Sequence, residues 1–444
     1  MASELYKKMA EYVDSRADWM VQNRRDFHKF AEGGWKEIRT CSIIADFLTK
    51  LGVDQLILGK DCFVAEDRMG LPNQEELDFA YTRALEQGAV AEFAPFFKDG
   101  FTGVEAVIDT GRPGPVVGFR TDIDALGVFE SQDPETHRPA KEGFASVNPG
   151  EMQACGHDSH GTIGMMTAET IMKFKDQLCG KFKFVFQPSE EGVRGAKAMA
   201  GTGFLDDVDY MMAMHIAPLN KDCPEEDFNF RYKTCMANAK LDVYLTGKAC
   251  HAAAPESGNN AMLAAAAIIL GIYGIPRASV GDSRINVGQV IAGSGRNVVC
   301  DRVKMVMELR GLTQAALDYM EPYARRIIEH GAAMHGCTAE IKLMGATPAV
   351  VIDSPDFVDE LVDLANEIGF KALPAPQGTK ASSDDYAYMA DRVIQHGGKS
   401  CYIFYRTEEA APHHATTFDF ANEKDMTKAV KIFLAGALKV AGAL

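Results

Sequence analysis

The chain has 444 residues, 47% of them apolar, and its 46 Lys and Arg against 62 Asp and Glu leave a formal charge of −16. That length exceeds one ordinary core, so two domains are expected, and the composition excludes a disordered chain. The acidic balance excludes the basic face that nucleic acid or an anionic membrane surface requires, and no segment approaches the roughly 20 consecutive apolar residues of a membrane span.

The start, MASELYKKMAEYVDSRADWM, is charged and amphipathic, not a basic tip ahead of an apolar run, so a cytoplasmic protein is expected. The first fifty residues read as helical, with Met9, Tyr12, Val13 and Trp19 at three- and four-residue spacing. Residues 59–100 are polar, Glu-rich and without β-branched alternation, which predicts extra helices inserted before the first sheet strands. Strand signals follow in VVGFR, ending at Arg120, and in KFKFVFQ over residues 181–187, with a helix between them at about 160–175. VDYMMAMHIA supplies another apolar strand, ending near His215. Strands alternating with helices predict an α/β layer fold with a largely parallel sheet.

From about Ala237 to Met344 the order changes to strand, helix, strand, strand, helix, strand. The segments are AKLDVYLTG, NNAMLAAAAIILGIYGI, RINVGQVIAG, NVVCDRVKMVMELRG, AALDYMEPYARRIIEHGAAMHG and AEIKLMG. This βαββαβ order predicts a small open-faced sandwich domain, residues 237–344, inserted into a larger α/β domain made of residues 1–236 and 345–444. A helix over DMTKAVKIFLAGALKVAGAL closes the chain. Ten cysteines lie singly along it (Cys41, Cys62, Cys155, Cys179, Cys223, Cys235, Cys250, Cys300, Cys337, Cys401) with no CxxC, which reads as reduced thiols and not a disulfide framework.

The densest chemical signal is Cys155-Gly156-His157-Asp158-Ser159-His160. Thiolate and imidazole are strong ligands for zinc-like divalent metals, and a neighbouring carboxylate orients a ligand imidazole through its second nitrogen. The second signal is Gln187-Pro188-Ser189-Glu190-Glu191-Gly192, at a strand end, where α/β sheets place their functional loops. Adjacent carboxylates ordinarily decorate a solvated face, but this pair follows an apolar strand and a proline. There Glu191 can ligate a metal while Glu190 takes a proton from a water that the metal activates. His215 ends the next apolar strand, and His413 and His414 lie in a Pro-flanked loop that can close a site when the chain folds back.

In this order the motifs resemble the aminoacylase and hippurate-hydrolase branch of the co-catalytic metallo-aminohydrolases and carboxypeptidases. That branch carries CGHDxH, QPxEEG, a strand-end His and a late His four residues ahead of an aromatic segment. The resemblance spans nearly the whole chain and implies that the inserted βαββαβ domain serves as lid and dimerisation domain. It implies two divalent metals bridged by Cys155, with His157, Glu191, His215 and His414 as further ligands and Glu190 as general acid/base. His414 is preferred to His413 because Phe418 follows it at the family's spacing. The resemblance implies manganese, whereas a Cys and three His ligands suit zinc at least as well.

Arg120-Thr121-Asp122-Ile123-Asp124-Ala125-Leu126 matches the branch's strand-end segment, where Asp122 and Asp124 would support the ligands. In the inserted domain His251 would stabilise the oxyanion, and Asn297 and Arg310 would hold the substrate's carboxylate, often from the partner subunit. Cys300 replaces the proline usual in Asn-Val-Val-Pro, and Glu256 stands where the branch commonly has a second His.

Residues 68–103 are absent from ordinary aminoacylases and are similar to the aminobenzoyl-glutamate utilisation subfamily, as are residues 109–115 and 195–199. That likeness implies hydrolysis of p-aminobenzoyl-glutamate, by a homodimer or a heteromer with a related subunit, with another N-acyl amino acid as the alternative substrate. Two rivals are weaker. Thiol catalysis by Cys155 with His157 or His160 leaves Glu190, Glu191, His215 and His414 without a role. A silent subunit would be expected to have lost ligands or base, and here all are present.

Overall fold

The computed structural model describes residues 3–230, 235–373 and 383–444. Three helices open the chain: α1 (Glu4–Ser15), α2 (Ala17–Lys29) and α3 (Ile38–Leu51). The Ser3 hydroxyl caps α1 by accepting the Tyr6 N–H. A short strand, β1 (Gln55–Leu58), follows and pairs antiparallel with β2 (Val104–Asp109).

The polar stretch therefore interrupts an edge pair of the sheet and does not precede the sheet as expected. It holds short 3₁₀ turns and one α-helix, α4 (Gln74–Glu86), which starts on a capping box between Asn73 and Glu76. Trp35 Nε1 donates to the Met69 carbonyl at 2.7 Å and fastens this insert to the N-terminal segment.

The large sheet continues with β3 (Val116–Asp122), β4 (Lys181–Gln187), β5 (Tyr210–Pro218), β6 (Phe228–Asn229), β11 (Ala372–Leu373) and β12 (Lys399–Thr407). Its eight strands run in the order β1-β2-β4-β3-β5-β12-β6-β11. The centre, β4-β3-β5-β12, is parallel, as expected; β1 and β2 on one side and β6 on the other pair antiparallel with their inner neighbours. Burial on both faces explains the near-continuous apolar runs of the central strands.

On one face, helices α1 to α3 pack with α6 (His157–Lys173) and α12 (Met426–Val440); Phe119 of β3 stacks on Phe184 of β4 and meets Phe433 of α12. On the other face lie α7 (Ala196–Ala200) and α11 (Tyr386–Gln395). Two further helices, α5 (Arg138–Glu142) and α10 (Pro355–Glu367), complete this part. Two sequence expectations shift: α6 begins at His157, not near 160, and β5 runs past His215 to Pro218.

The βαββαβ order is present: β7 (Ala237–Thr246), α8 (Ala261–Tyr273), β8 (Ser283–Ala292), β9 (Arg302–Gly311), α9 (Gln314–Met334) and β10 (Thr338–Thr347). They form a four-stranded antiparallel sheet ordered β10-β7-β9-β8. Leu241, Val243 and Leu245 of β7 pack with α8 and α9, so Asn238, Lys240, Asp242 and Tyr244 alternate onto the open face. All ten cysteines are free, and no helix among the described residues is long and apolar enough to cross a membrane.

Candidate metal centre and active site

The carboxyl ends of β3, β4 and β5 converge, and a buried arginine ties the first two together. Arg120 donates to Asp122 Oδ2 at 2.7 Å and to Gln187 Oε1 of β4 at 2.8 Å, with Asp384 and Asp385 at 3.3 and 3.5 Å. A charged guanidinium shared among carboxylates holds two strand ends in one geometry.

Between β3 and β4 the chain enters α6 through Gly156, whose φ of 84° is left-handed and whose missing Cβ would meet Ile216 at 2.7 Å. His157 and His160 then share a helix face, but their nitrogens are used differently. His160 donates from Nδ1 to Asp122 at 2.5 Å and accepts the Ile216 N–H at Nε2, so neither nitrogen is left for a metal. His157 donates from Nδ1 to the Asp124 carbonyl at 3.0 Å and to its carboxylate at 3.2 Å, which leaves Nε2 buried with no hydrogen-bond partner, 3.8 Å from Asp122 Oδ1. His215 donates from Nδ1 to the Ile216 carbonyl at 2.6 Å and turns Nε2 towards Cys155 Sγ, 3.4 Å away.

The loop after β4 delivers the glutamates. Asp124 accepts the N–H of Glu190 at 3.0 Å and of Glu191 at 2.9 Å, and Glu37 accepts that of Ser189 at 2.8 Å. Ser189 and Val193 stand at φ of 53° and 59°, a backbone conformation that a β-branched residue rarely adopts. β10 braces the loop: the Ala346 N–H donates to the Val193 carbonyl at 2.9 Å, and Gly345 packs so close that a Cβ there would lie 2.1 Å from the Gly192 carbonyl oxygen.

Together these elements assemble the residues that the sequence singled out. The donor atoms of Cys155, His157 and His215 lie within 4.8 Å of one another, as do those of Cys155, Glu191 and His414, and those of His157, Glu190 and Glu191. Two donor triads thus share the Cys155 sulfur. Glu191 Oε1 is buried with no hydrogen-bond partner and sits 3.7 Å from His414 Nε2. His414 holds a φ of 68° and its N–H donates to the Ala154 carbonyl. Its neighbour His413 spends Nε2 on Glu409 and brings Nδ1 to 3.5 Å from Cys155 Sγ.

Burial pushes the Glu190 carboxyl well above the usual range, with Asp384 and Glu191 adding to it, and raises Glu191 to about 7 against the pull of His157. It also drives the Cys155 thiol up; His157 pulls it down, and Glu191 and Glu190 add to the rise. Burial and His160 hold His215 well below the imidazole range. For His157 burial also opposes charge, but Asp122 and Asp124 outweigh it and hold it well above that range. A nucleophilic cysteine needs a depressed pKa, the reverse of what Cys155 meets. A divalent cation fits: orphaned buried His157 Nε2 and Glu191 Oε1, a shared sulfur and crowded carboxylates form a donor set suited to one.

A cavity of about 680 Å³ opens over Cys155, Glu190 and His413 and reaches Asn238, Lys240 and Arg310 on the open face of the second sheet. It joins a cleft of about 1240 Å³ through Glu191, Gly192, Lys240 and His414. The insert forms one wall of that cleft with Gly70, Leu71, Pro72 and Asn73. Of the three residues expected from the second sheet, only Arg310 lines the cavity over the donors. His251 and Asn297 are exposed, lie beside each other through the His251–Val298 bridge, and line neither cavity of this single chain.

Residues 118–439 match the sequence model of peptidase family M20/M25/M40. The chain belongs to this family. It is 43% identical over 434 residues to the indole-3-acetyl-aspartic acid hydrolase of Enterobacter agglomerans, covering 96% of this chain and 97% of that one. It is 42% identical over 442 residues to a p-aminobenzoyl-glutamate hydrolase subunit of Escherichia coli K12, covering 97% and 98%. The crystal structure of an aminobenzoyl-glutamate utilization protein from Klebsiella pneumoniae is similar at a TM-score of 0.79 and 38% identity, covering 97% of each chain. The chain is an amide-bond hydrolase of the M20 family, and the resemblance carried by its motifs is borne out.

Several residues that shape this M20 site escaped the sequence reading. Glu37 braces the glutamate loop from a segment read only as helical. Arg194 donates to the carbonyls of Glu191 at 2.9 Å and Gly70 at 3.1 Å, linking that loop to the insert, and no pattern marks it. Lys240 was legible in principle, since Asn238, Lys240, Asp242 and Tyr244 alternate along a strand with apolar partners between them.

Proposed function

We propose that this chain uses two divalent ions to hydrolyse p-aminobenzoyl-glutamate to p-aminobenzoate and glutamate. The observation that carries the reading is the pair of donor triads sharing Cys155, with Glu190 beside them. Cys155, His157, His215, Glu191 and His414 would hold the ions. Two relatives above 40% identity are named for amide conjugates of acidic amino acids, one aminobenzoyl and one indole-3-acetyl. An indole-3-acetyl-aspartate type of conjugate is the second reading.

Bound there, divalent ions would supply Lewis acidity, making a water more acidic and a carbonyl more electrophilic. Glu190, buried and raised in pKa, accepts the proton of the attacking water and returns it to the leaving amide nitrogen. Asp124 keeps both glutamates and His157 in register for this work. Arg310, at the cavity wall, would hold the amino acid's α-carboxylate. Manganese is favoured by the family likeness, and the sulfur and imidazole donors also suit zinc.

His251 and Asn297 would serve, as oxyanion and carboxylate contacts, the centre of a second copy or of a related partner chain. Exposed apolar side chains on α8 (Leu263, Leu270, Tyr273) and on β8 (Val290, Ile291) support such an interface, and free cysteines support a cytoplasmic setting. The second sheet would then act as both lid and dimerisation domain. The test is release of p-aminobenzoate from p-aminobenzoyl-glutamate by the purified chain with manganese, with zinc and with a chelator. Metal-dependent release is expected; release that survives the chelator would overturn the reading.

A further inference from the structure

We propose that Lys240 reads the side-chain carboxylate of the amino acid being released, and so selects conjugates of dicarboxylic amino acids over neutral ones. This rests on the amide hydrolysis proposed above and names a specificity residue for it. Lys240 stands on β7, on the open face of the second sheet, and is the cation that lines both the cavity over the donors and the adjoining cleft.

The other cations around these two spaces are engaged. Lys36 pairs with Glu151, Lys304 with Asp242 and Lys342 with Glu340, Arg194 donates to two backbone carbonyls, and Arg310 meets Glu308 through Nε and Nη2, which leaves its Nη1 for a ligand. Among the described residues the Lys240 ammonium has no hydrogen bond and no ion-pair partner. A half-buried ammonium with no counter-ion in contact is an unfavourable arrangement that an arriving anion relieves. Burial draws its pKa down while Glu190, Glu308 and Glu191 oppose that, so it sits within the field of the glutamate loop.

Register supplies the second half of the argument. Asn238 faces Arg310 across the β7–β9 ladder and Lys240 faces Glu308, which makes Lys240 and Arg310 diagonal neighbours, roughly 7–8 Å apart at the backbone. Both side chains line the same cavity over Cys155 and Glu190. Two cations at that spacing suit two carboxylates on one short amino acid: Arg310 would take the α-carboxylate and Lys240 the one on the side chain.

The test compares p-aminobenzoyl-glutamate with p-aminobenzoyl-glutamine, its neutral isostere, on the full manganese-loaded chain and on Lys240→Met and Lys240→Arg. The unmodified chain should prefer the glutamate conjugate. Lys240→Met should lower kcat/KM for that conjugate by about 10- to 100-fold and leave the glutamine conjugate within about threefold, while Lys240→Arg keeps most of the preference. Continued turnover of the glutamine conjugate shows that the variant is folded. An unmoved ratio in Lys240→Met, or an equal loss on both substrates, would overturn the role of Lys240 alone. Failure of the unmodified chain to cleave either conjugate would overturn the p-aminobenzoyl-glutamate reading together with it.

Discussion

The carboxylate of Glu37 accepts the backbone N–H of Ser189 at 2.8 Å, and its other oxygen accepts the Thr102 hydroxyl at 2.7 Å. One buried side chain from the N-terminal segment therefore holds the left-handed residue that precedes Glu190. Replacing Glu37 with Ala leaves a buried N–H unpaired, a loss of about 1–3 kcal/mol. We expect kcat to fall more than KM rises, and Glu37→Gln, which keeps an accepting oxygen, to recover most of it. Steady-state kinetics and thermal unfolding of both variants check this.

Glu190→Gln removes the proposed base without changing side-chain shape. Its kcat should drop by about 10²- to 10⁴-fold with metal content intact by elemental analysis. Glu191→Gln should instead lose metal as well as activity. Near-normal turnover in Glu190→Gln would remove Glu190 from the proton-transfer role.

Gly345 sits against the Gly192 carbonyl with no space for a side chain. Gly345→Ala must push β10 off the glutamate loop and break the bond from Ala346 to Val193. Overpacking of this kind costs about 1–3 kcal/mol. The predicted signature is a lower unfolding temperature together with a lower kcat, and an unaltered kcat would show that β10 does not brace the loop.

His28 lies between Glu130 and Asp158, at 2.9 and 2.8 Å. Burial and Arg24 oppose its charge, but the two carboxylates prevail and raise it to about 9 from 6.5. A histidine raised in the folded state stabilises fully below its unfolded value and loses that contribution as pH climbs through the folded one. The stability advantage of the unmodified chain over His28→Gln should thus shrink by about 3 kcal/mol between about pH 6 and pH 10. Denaturant unfolding across that window measures it.

On α8, Leu270 is 78% exposed and Leu263 54%. The double variant Leu263→Glu/Leu270→Glu should run as a monomer by light scattering and lose most activity, because His251 would no longer reach a second centre. A fully active monomer would take His251 out of the reaction.

The chemistry of this chain is written locally, which is why much of it could be read. Cys155 and His157, Glu190 and Glu191, and His215 each sit in or beside a short apolar segment whose periodicity announces a strand or helix end. What stayed hidden depends on pairing at a distance. Glu37 and Ser189 are 152 residues apart, and hydrophobic patterning carries no information about a hydrogen bond of that span. β1 is only Gln55–Leu58, too short to announce itself, so the insert looked as though it preceded the sheet. His251 and Asn297 follow a family pattern, yet in one chain their loops pair with each other at the His251–Val298 bridge and neither residue lines the cavities beside the donors.

Leu58 and Val104 face each other across the β1–β2 ladder, and the Gly59 N–H still donates to the Gly103 carbonyl at 3.1 Å. Everything between them is a closed excursion whose two ends are already joined by the sheet. Closing a longer excursion adds little, since each doubling of loop length is worth only about 0.6 kcal/mol. What fixes the length of this excursion is therefore not its closure but its packing: Ala80, Ala84 and Phe97 are buried in the main core, and Gly70 accepts a hydrogen bond from Arg194 of the glutamate loop. A change in the wall of the cleft is felt at the carboxylates it faces, so the outline of the mouth and the geometry of the centre vary together.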